Sequence, residues 1–134
     1  MIFEEKTLKS ERIYEGTILN LRRDEVTVLH GTSYREIVEH NGGAVLAALT
    51  DEGKMVMVRQ FRKPAERVML EVPAGKIDPG EKPEETAKRE LAEETGYRAR
   101  HVRYLTEFYP SVGYAEEVLY LYLCMVLVFS NLLF

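Results

Sequence analysis

The sequence predicts a mixed α+β fold: one helix packed on a largely antiparallel or mixed sheet, preceded by an antiparallel N-terminal β-region. Two observations carry this prediction. Only one segment, Pro83 to Thr95, combines helical spacing with a proper start and stop. Pro83 suits a first helical turn, Gly96 suits the residue just past the end, and Ala87 and Leu91 mark one apolar face. In contrast, the stretch from Gly16 to Val72 is rich in β-branched and alternating residues, as strands require.

Within that stretch, GTILNLRRDEVTVL (Gly16–Leu29) and SYREIVEH (Ser33–His40) read as paired strands. GAVLAAL and KMVMVRQF flank TDEG (Thr50–Gly53), which reads as a hairpin turn. VMLEV follows as a short strand, and PAGKIDPGE as a Gly/Pro-rich loop leading into the helix. After the helix, RARHVRYLTEFY is a strand, YPSVGYAEE a loop and VLYLYLCMV a further strand. With 134 residues the chain reads as one domain, residues 1–134.

Composition narrows the function. The chain is 46% apolar and 30% charged with a net charge of −4, ordinary for a soluble protein. Only three of its acidic residues are Asp (Asp24, Asp51, Asp78), and no basic patch of the kind that grips a nucleic-acid backbone is present. A single cysteine, Cys124, excludes an intrachain disulfide and a Cys-based zinc site, and suits a reducing cytoplasm. His30, His40 and His101 show no metal-ligand spacing and read as incidental. The charged opening MIFEEKTLKS is not a signal peptide. Val118 to Phe134 is uncharged over 17 residues, but Ser130 and Asn131 interrupt it. It reads as a buried strand and an apolar tail rather than a membrane span.

The helix end, RELAEETG (Arg89–Gly96), breaks two local rules. Glu90, Glu93 and Glu94 share one face, so Glu90 and Glu94 repel at i,i+4. All three also lie near the negative end of the helix dipole, where cations are favoured. Carboxylates at i, i+3 and i+4 suit Mg²⁺, which takes one or two carboxylates, keeps several waters and accepts phosphate oxygens as further ligands. Arg89 is within reach of Glu93 at i+4 and Glu85 at i−4, so it is expected to orient carboxylates.

The longer segment GKIDPGEKPEETAKRELAEETGY (Gly75–Tyr97) resembles the Nudix box, the signature of hydrolases that cleave a nucleoside diphosphate linked to another group. Gly75, Glu81, Arg89, Glu90, Glu93, Glu94 and Gly96 match its fixed positions. The resemblance implies an α/β/α sandwich with a mixed sheet and one catalytic helix. It implies residues 1–40 as N-terminal strands that dimerise and 41–134 as the catalytic core. It further implies Glu90 and Glu94 as principal metal ligands, Glu93 as ligand to an additional metal, and the Ala74 carbonyl as another ligand. Arg89 takes a supporting role, and Glu81 a structural one or that of a supporting ligand. The implied cofactor is Mg²⁺ or Mn²⁺, two or three ions.

Beyond the box, GTILNL, YREIVEH, VRQFRKP and LEVPAGKIDPGE resemble the ADP-ribose pyrophosphatase branch of this family. Carried over position by position, Ile18 and Arg35 lie near the adenine and Glu36 hydrogen-bonds it, in a site shared by two chains of a homodimer. Arg62 contacts phosphate or the terminal ribose, and Glu71 faces the same pocket. Glu117 aligns with the acid of a mobile loop that orients or deprotonates the attacking water or touches a metal, with Glu116 beside it. Two departures stand out. Val112 replaces the usual proline of that loop, and MVLVFSNLLF replaces a further strand and C-terminal helix, as in a truncated or altered C-terminus. The expected activity is Mg²⁺-dependent hydrolysis of ADP-ribose or a related nucleoside diphosphate sugar. The alternatives are another substrate of the family, such as a dinucleoside polyphosphate, or a nucleotide-binding module without turnover. A small-molecule nucleotide is the expected partner, with no nucleic acid and no membrane.

Overall fold

The computed structural model describes residues 2–127, so the apolar tail expected beyond Leu127 lies outside the described residues. They fall into two compact units. One comprises the described part of Met1–Asn41 with Tyr109–Val118; the other comprises Gly42–Phe108 with the described part of Leu119–Phe134.

The first unit is built on an antiparallel sheet of β1 (Thr7–Glu15), β2 (Asn20–Val28) and β3 (Gly31–Glu39), in that order. β1 is exposed along its whole length, whereas β2 turns Asp24 and Val26 inward. The sequence places a strand start at Gly16, but residues 16–19 form the connection between β1 and β2. The Gly16 N–H donates to the Leu19 carbonyl at 3.1 Å and to Asn20 Oδ1 at 3.2 Å. A Cβ at Gly16 would crowd both the Tyr14 ring and that carbonyl. β1 is absent from the sequence reading because a strand with no buried face carries no alternation to detect.

The second unit holds a four-stranded sheet ordered β7-β4-β9-β8, formed by β4 (Gly43–Leu49), β7 (Ala74–Lys76), β8 (Arg98–Phe108) and β9 (Leu119–Leu127). β4 and β9 are parallel, and the outer pairs are antiparallel, so the sheet is mixed as expected. The helix α1 spans Pro83–Thr95, the predicted bounds, and ends at Gly96 in the left-handed region (φ 73°). It buries Thr86, Ala87 and Leu91 against a core of Ala44, Leu46, Ala48, Tyr122, Cys124 and Val126. Burying a leucine fully contributes about 1.5–3 kcal/mol, so Leu91 is a principal anchor of the helix.

Two local expectations need correction. The Thr50–Gly53 turn forms, with Gly53 left-handed at φ 74°, but the hairpin behind it is brief. Pairing stops after the Leu49–Met55 bridge, and β5 (Val58–Arg62) joins β6 (Arg67–Glu71) in a separate two-stranded ribbon. The Gly/Pro-rich loop also contains a strand: Ala74–Lys76 pairs with Gly43–Val45 and lies beside the helix. No helix among the described residues is long and apolar enough to cross a membrane.

Candidate active site

The site in the second unit grows from β7 and α1. Gly75 sits where the Glu90 side chain passes the β7 backbone, and any Cβ there would overlap the Glu90 carboxylate. The glycine is needed for this close approach rather than for a special φ. One turn on, Glu94 Oε2 accepts a hydrogen bond from the Ala74 N–H at 3.1 Å. Glu90 and Glu94 thus flank the same two backbone residues, Ala74 and Gly75.

Glu94 titrates above the ordinary carboxylate range. Partial desolvation is the main cause, although the residue as a whole is exposed, and the charges of Glu90 and Glu71 add to it, against the Ala74 N–H and Arg62. Arg62 and Glu71 therefore belong to the same electrostatic neighbourhood. Arg62 Nε and Nη2 grip the two Glu71 oxygens at 2.8 and 2.6 Å, a bidentate fork across β5 and β6. This hydrogen bonding holds the Glu71 carboxyl below its usual range. Glu93 is more exposed, and its carboxylate lies 3.3 Å from Arg89 Nη1.

At the other end of the helix the carboxylate is fully braced. Glu81 accepts from Arg89 Nε and Nη2 at 2.9 Å each, from Thr86 Oγ1 at 2.7 Å and from the Asp78 N–H at 3.3 Å. Its pKa drops to about 2, chiefly through Arg89. Arg89 also donates to Glu90 Oε1 at 2.7 Å and to the Lys76 carbonyl at 3.3 Å, and its own pKa is raised, mainly by Glu81. The expected link to Glu85 is replaced by this one. Glu85 instead accepts from the Lys82 N–H at 3.3 Å, capping the first turn. Thr86 carries no sequence signal as the partner of Glu81, because a threonine on a helix core face reads as packing.

The remaining candidates lie in the first unit. Ile18 is 65% exposed in the β1–β2 connection rather than in the strand the sequence places there. It borders a polar hollow of about 340 Å³ with Glu39, His40, Asn41 and Glu116. Arg35 and Glu36 line a different hollow of about 420 Å³, with Tyr109, Val112 and Tyr114. Arg35 pairs with Glu5 and donates to Ser33 Oγ at 3.1 Å. Glu117 lies 3.4 Å from His40 Nδ1, a neighbour that spacing in the sequence could not reveal. Glu116 reaches Arg22 Nη1 at 3.3 Å.

Among the described residues no cluster of three or more His, Cys, Asp or Glu side chains is assembled as a metal site. The donor set nevertheless fits a hard cation that binds one or two carboxylates and retains waters. Glu90 and Glu94 are hard oxygen donors on one helix face, both set against the Ala74–Gly75 backbone. Cys124 offers no competing chemistry: burial in the core pushes its thiol up to about 11.

The chain is similar to several known proteins. The chain is 50% identical over 121 residues to the ADP-ribose pyrophosphatase of Bacillus subtilis (strain 168), covering 90% of this chain and 65% of that protein. It is 48% identical over 122 residues to the methanol dehydrogenase activator of Bacillus methanolicus, covering 90% of this chain and 66% of the relative. It thus spans about two thirds of the length of these curated relatives. A solved structure described as an ADP compounds hydrolase superposes with a TM-score of 0.81 at 20% identity, over 93% of this chain and 69% of the other, a likeness of fold. The NUDIX domain profile matches residues 40–129, which include the braced loop, the helix and its carboxylates, and the chain therefore belongs to the Nudix family.

Proposed function

We propose that this protein is a cytoplasmic, Mg²⁺-dependent pyrophosphohydrolase that splits ADP-ribose, or a closely related nucleoside diphosphate sugar. The observation that carries the reading is the pair Glu90 and Glu94 set over the Ala74–Gly75 backbone. The substrate class rests on the ADP-ribose pyrophosphatase of B. subtilis, half identical over most of this chain.

In this reading Glu90, Glu94 and the Ala74 carbonyl hold the metal, with Glu93 serving an additional ion. Bound there, two or three divalent ions supply activation of a water and neutralisation of charge on the diphosphate. Mn²⁺ shares the preference for carboxylate, carbonyl and water ligands and is expected to substitute. Arg89 fixes the Glu90 carboxylate. Arg62, held by Glu71, uses its remaining N–H groups on the phosphate or terminal ribose. Glu117 orients or deprotonates the attacking water. Water adds to one phosphorus, the bridging P–O bond breaks, and AMP and ribose 5-phosphate leave. Ile18, Arg35 and Glu36 contact the adenine. A homodimer is part of this reading, supported by the exposed apolar side chains Leu8, Ile13, Tyr14 and Tyr34 of the β1–β3 sheet.

The deciding experiment is a substrate panel with product identification at saturating Mg²⁺, containing ADP-ribose, other sugar nucleotides and dinucleoside polyphosphates. Preferential turnover of ADP-ribose to AMP supports the reading. Preference for a dinucleoside polyphosphate changes the substrate, and tight binding with no product reassigns the chain as a nucleotide-binding module. Sedimentation as a monomer contradicts the dimer.

A further inference from the structure

The Tyr109–Val118 connection is tied to the N-terminal sheet by both backbone and side chains. The Val38 N–H donates to the Tyr114 carbonyl at 2.8 Å, and the Glu116 N–H donates to the Val38 carbonyl at 3.0 Å. This makes a parallel bridge between Val38 and Ala115, at the far end of β3. Glu116 then reaches Arg22 Nη1 at 3.3 Å, and Glu117 lies 3.4 Å from His40 Nδ1.

Arg22 is itself aimed from several sides. Its Nε donates to Asp24 Oδ2 at 3.2 Å, and its Nη1 donates to Glu39 Oε1 at 2.7 Å. Asp24 is only 4% exposed and accepts a 2.6 Å hydrogen bond from Ser10 Oγ. Glu39 also pairs with Arg12 of β1. The guanidinium is therefore set by all three strands before it meets Glu116, so it reaches the loop with little conformational freedom left to lose.

We propose that Arg22 is a positioning residue for the loop acids. By holding Glu116 it fixes the backbone of the next residue, Glu117, and so sets how often that carboxylate is poised to act. The inference rests on the role given to Glu117 under the proposed function. An ion pair of this exposure is weak, so the contact biases the loop rather than locking it.

The test is a double-mutant cycle in the full chain, with Arg22→Gln, Glu116→Gln and the pair, assayed on ADP-ribose with Mg²⁺. Each single change is expected to lower kcat about three- to five-fold, the range such a pair carries. KM is expected to stay within about twofold, and the double variant to be no worse than either single one. Amide exchange provides a readout independent of turnover: both single variants speed exchange at Val38 and Glu116 and leave the β1–β2 amides protected. Additive losses of kcat overturn the proposal. So does an Arg22→Gln defect that Glu116→Gln does not share, since Arg22 would then act through Asp24 and Glu39 on the sheet. Glu117→Gln separates the two readings. If it keeps full turnover, the role of Glu117 fails, and the latch stands or falls on the exchange result alone.

Discussion

Glu81 and Glu94 stand at the two ends of one box and meet opposite surroundings. Glu81 is clamped by Arg89, Thr86 and the Asp78 N–H, and its pKa falls to about 2. Glu94 has one backbone donor, and its pKa rises, first through partial desolvation and then through the charges of Glu90 and Glu71, with Arg62 opposing. The same residue type thus does two jobs. Just before the helix, a carboxylate fastens the loop between β7 and α1. The other end of the box sets two carboxylates, Glu90 and Glu94, over the Ala74–Gly75 backbone, where a bound cation would be favoured. Arg89 joins the two, reaching Glu81 on one side and Glu90 on the other.

The largest effect expected from breaking this contrast is on turnover. Glu94→Gln keeps an acceptor for the Ala74 N–H but removes the charge, and should lower metal-dependent AMP release by about 10²–10³-fold, the several kcal/mol that metal catalysis supplies. The same change should slightly stabilise the metal-free fold at neutral pH. Removing one like-charge pair is worth about 0.2–0.5 kcal/mol, a rise of about 1–2 °C in Tm. The sign follows from the raised pKa: ionised Glu94 costs stability above its folded pKa, and the gain should vanish below pH about 4.

Gly75→Ala is next. Its methyl group displaces the Glu90 carboxylate, so metal affinity and kcat should fall about 10–100-fold, as when a metal ligand loses its support. Arg89→Ala works from the other end. It frees Glu81 and Glu90 together, so the melting temperature should drop by several degrees, measured by thermal unfolding without metal.

The smallest effect is on acid stability. Glu81 is depressed in the fold, so its contribution is fully present above the ordinary value near 4.5 and is lost as pH falls towards about 2. Unfolding monitored across that window should show a loss of stability that Glu81→Gln largely removes.

Where burial or a strict turn shaped the chain, the fold could be read from the sequence. The helix from Pro83 to Gly96 matched because proline, glycine and the Ala87 and Leu91 stripe act locally. β9 was visible because buried Tyr122, Cys124 and Val126 alternate along it. β1 was not, because it exposes every residue, and β7 was hidden by glycine and proline neighbours that ordinarily mark loops. At the site, the spacing of Glu90, Glu93 and Glu94 was legible as chemistry. The partners of Glu81 were not. Thr86 and Asp78 become donors only after the loop folds back onto α1, and His40 meets Glu117 only through the tertiary fold. Ile18 illustrates the opposite failure: an apolar residue in an alternating run looks like a strand, yet it stands exposed in a turn.

The central claim is that Glu94, set with Glu90 over the Ala74–Gly75 backbone, binds a metal. It is tested most directly by thermal unfolding of the wild type and Glu94→Gln with increasing Mg²⁺ and no nucleotide. At a hundred times Kd the wild type should gain about 2.7 kcal/mol, seen as a rise of several degrees in Tm. Glu94→Gln should start slightly higher and gain little. An equal Mg²⁺-dependent rise in both proteins would contradict the account.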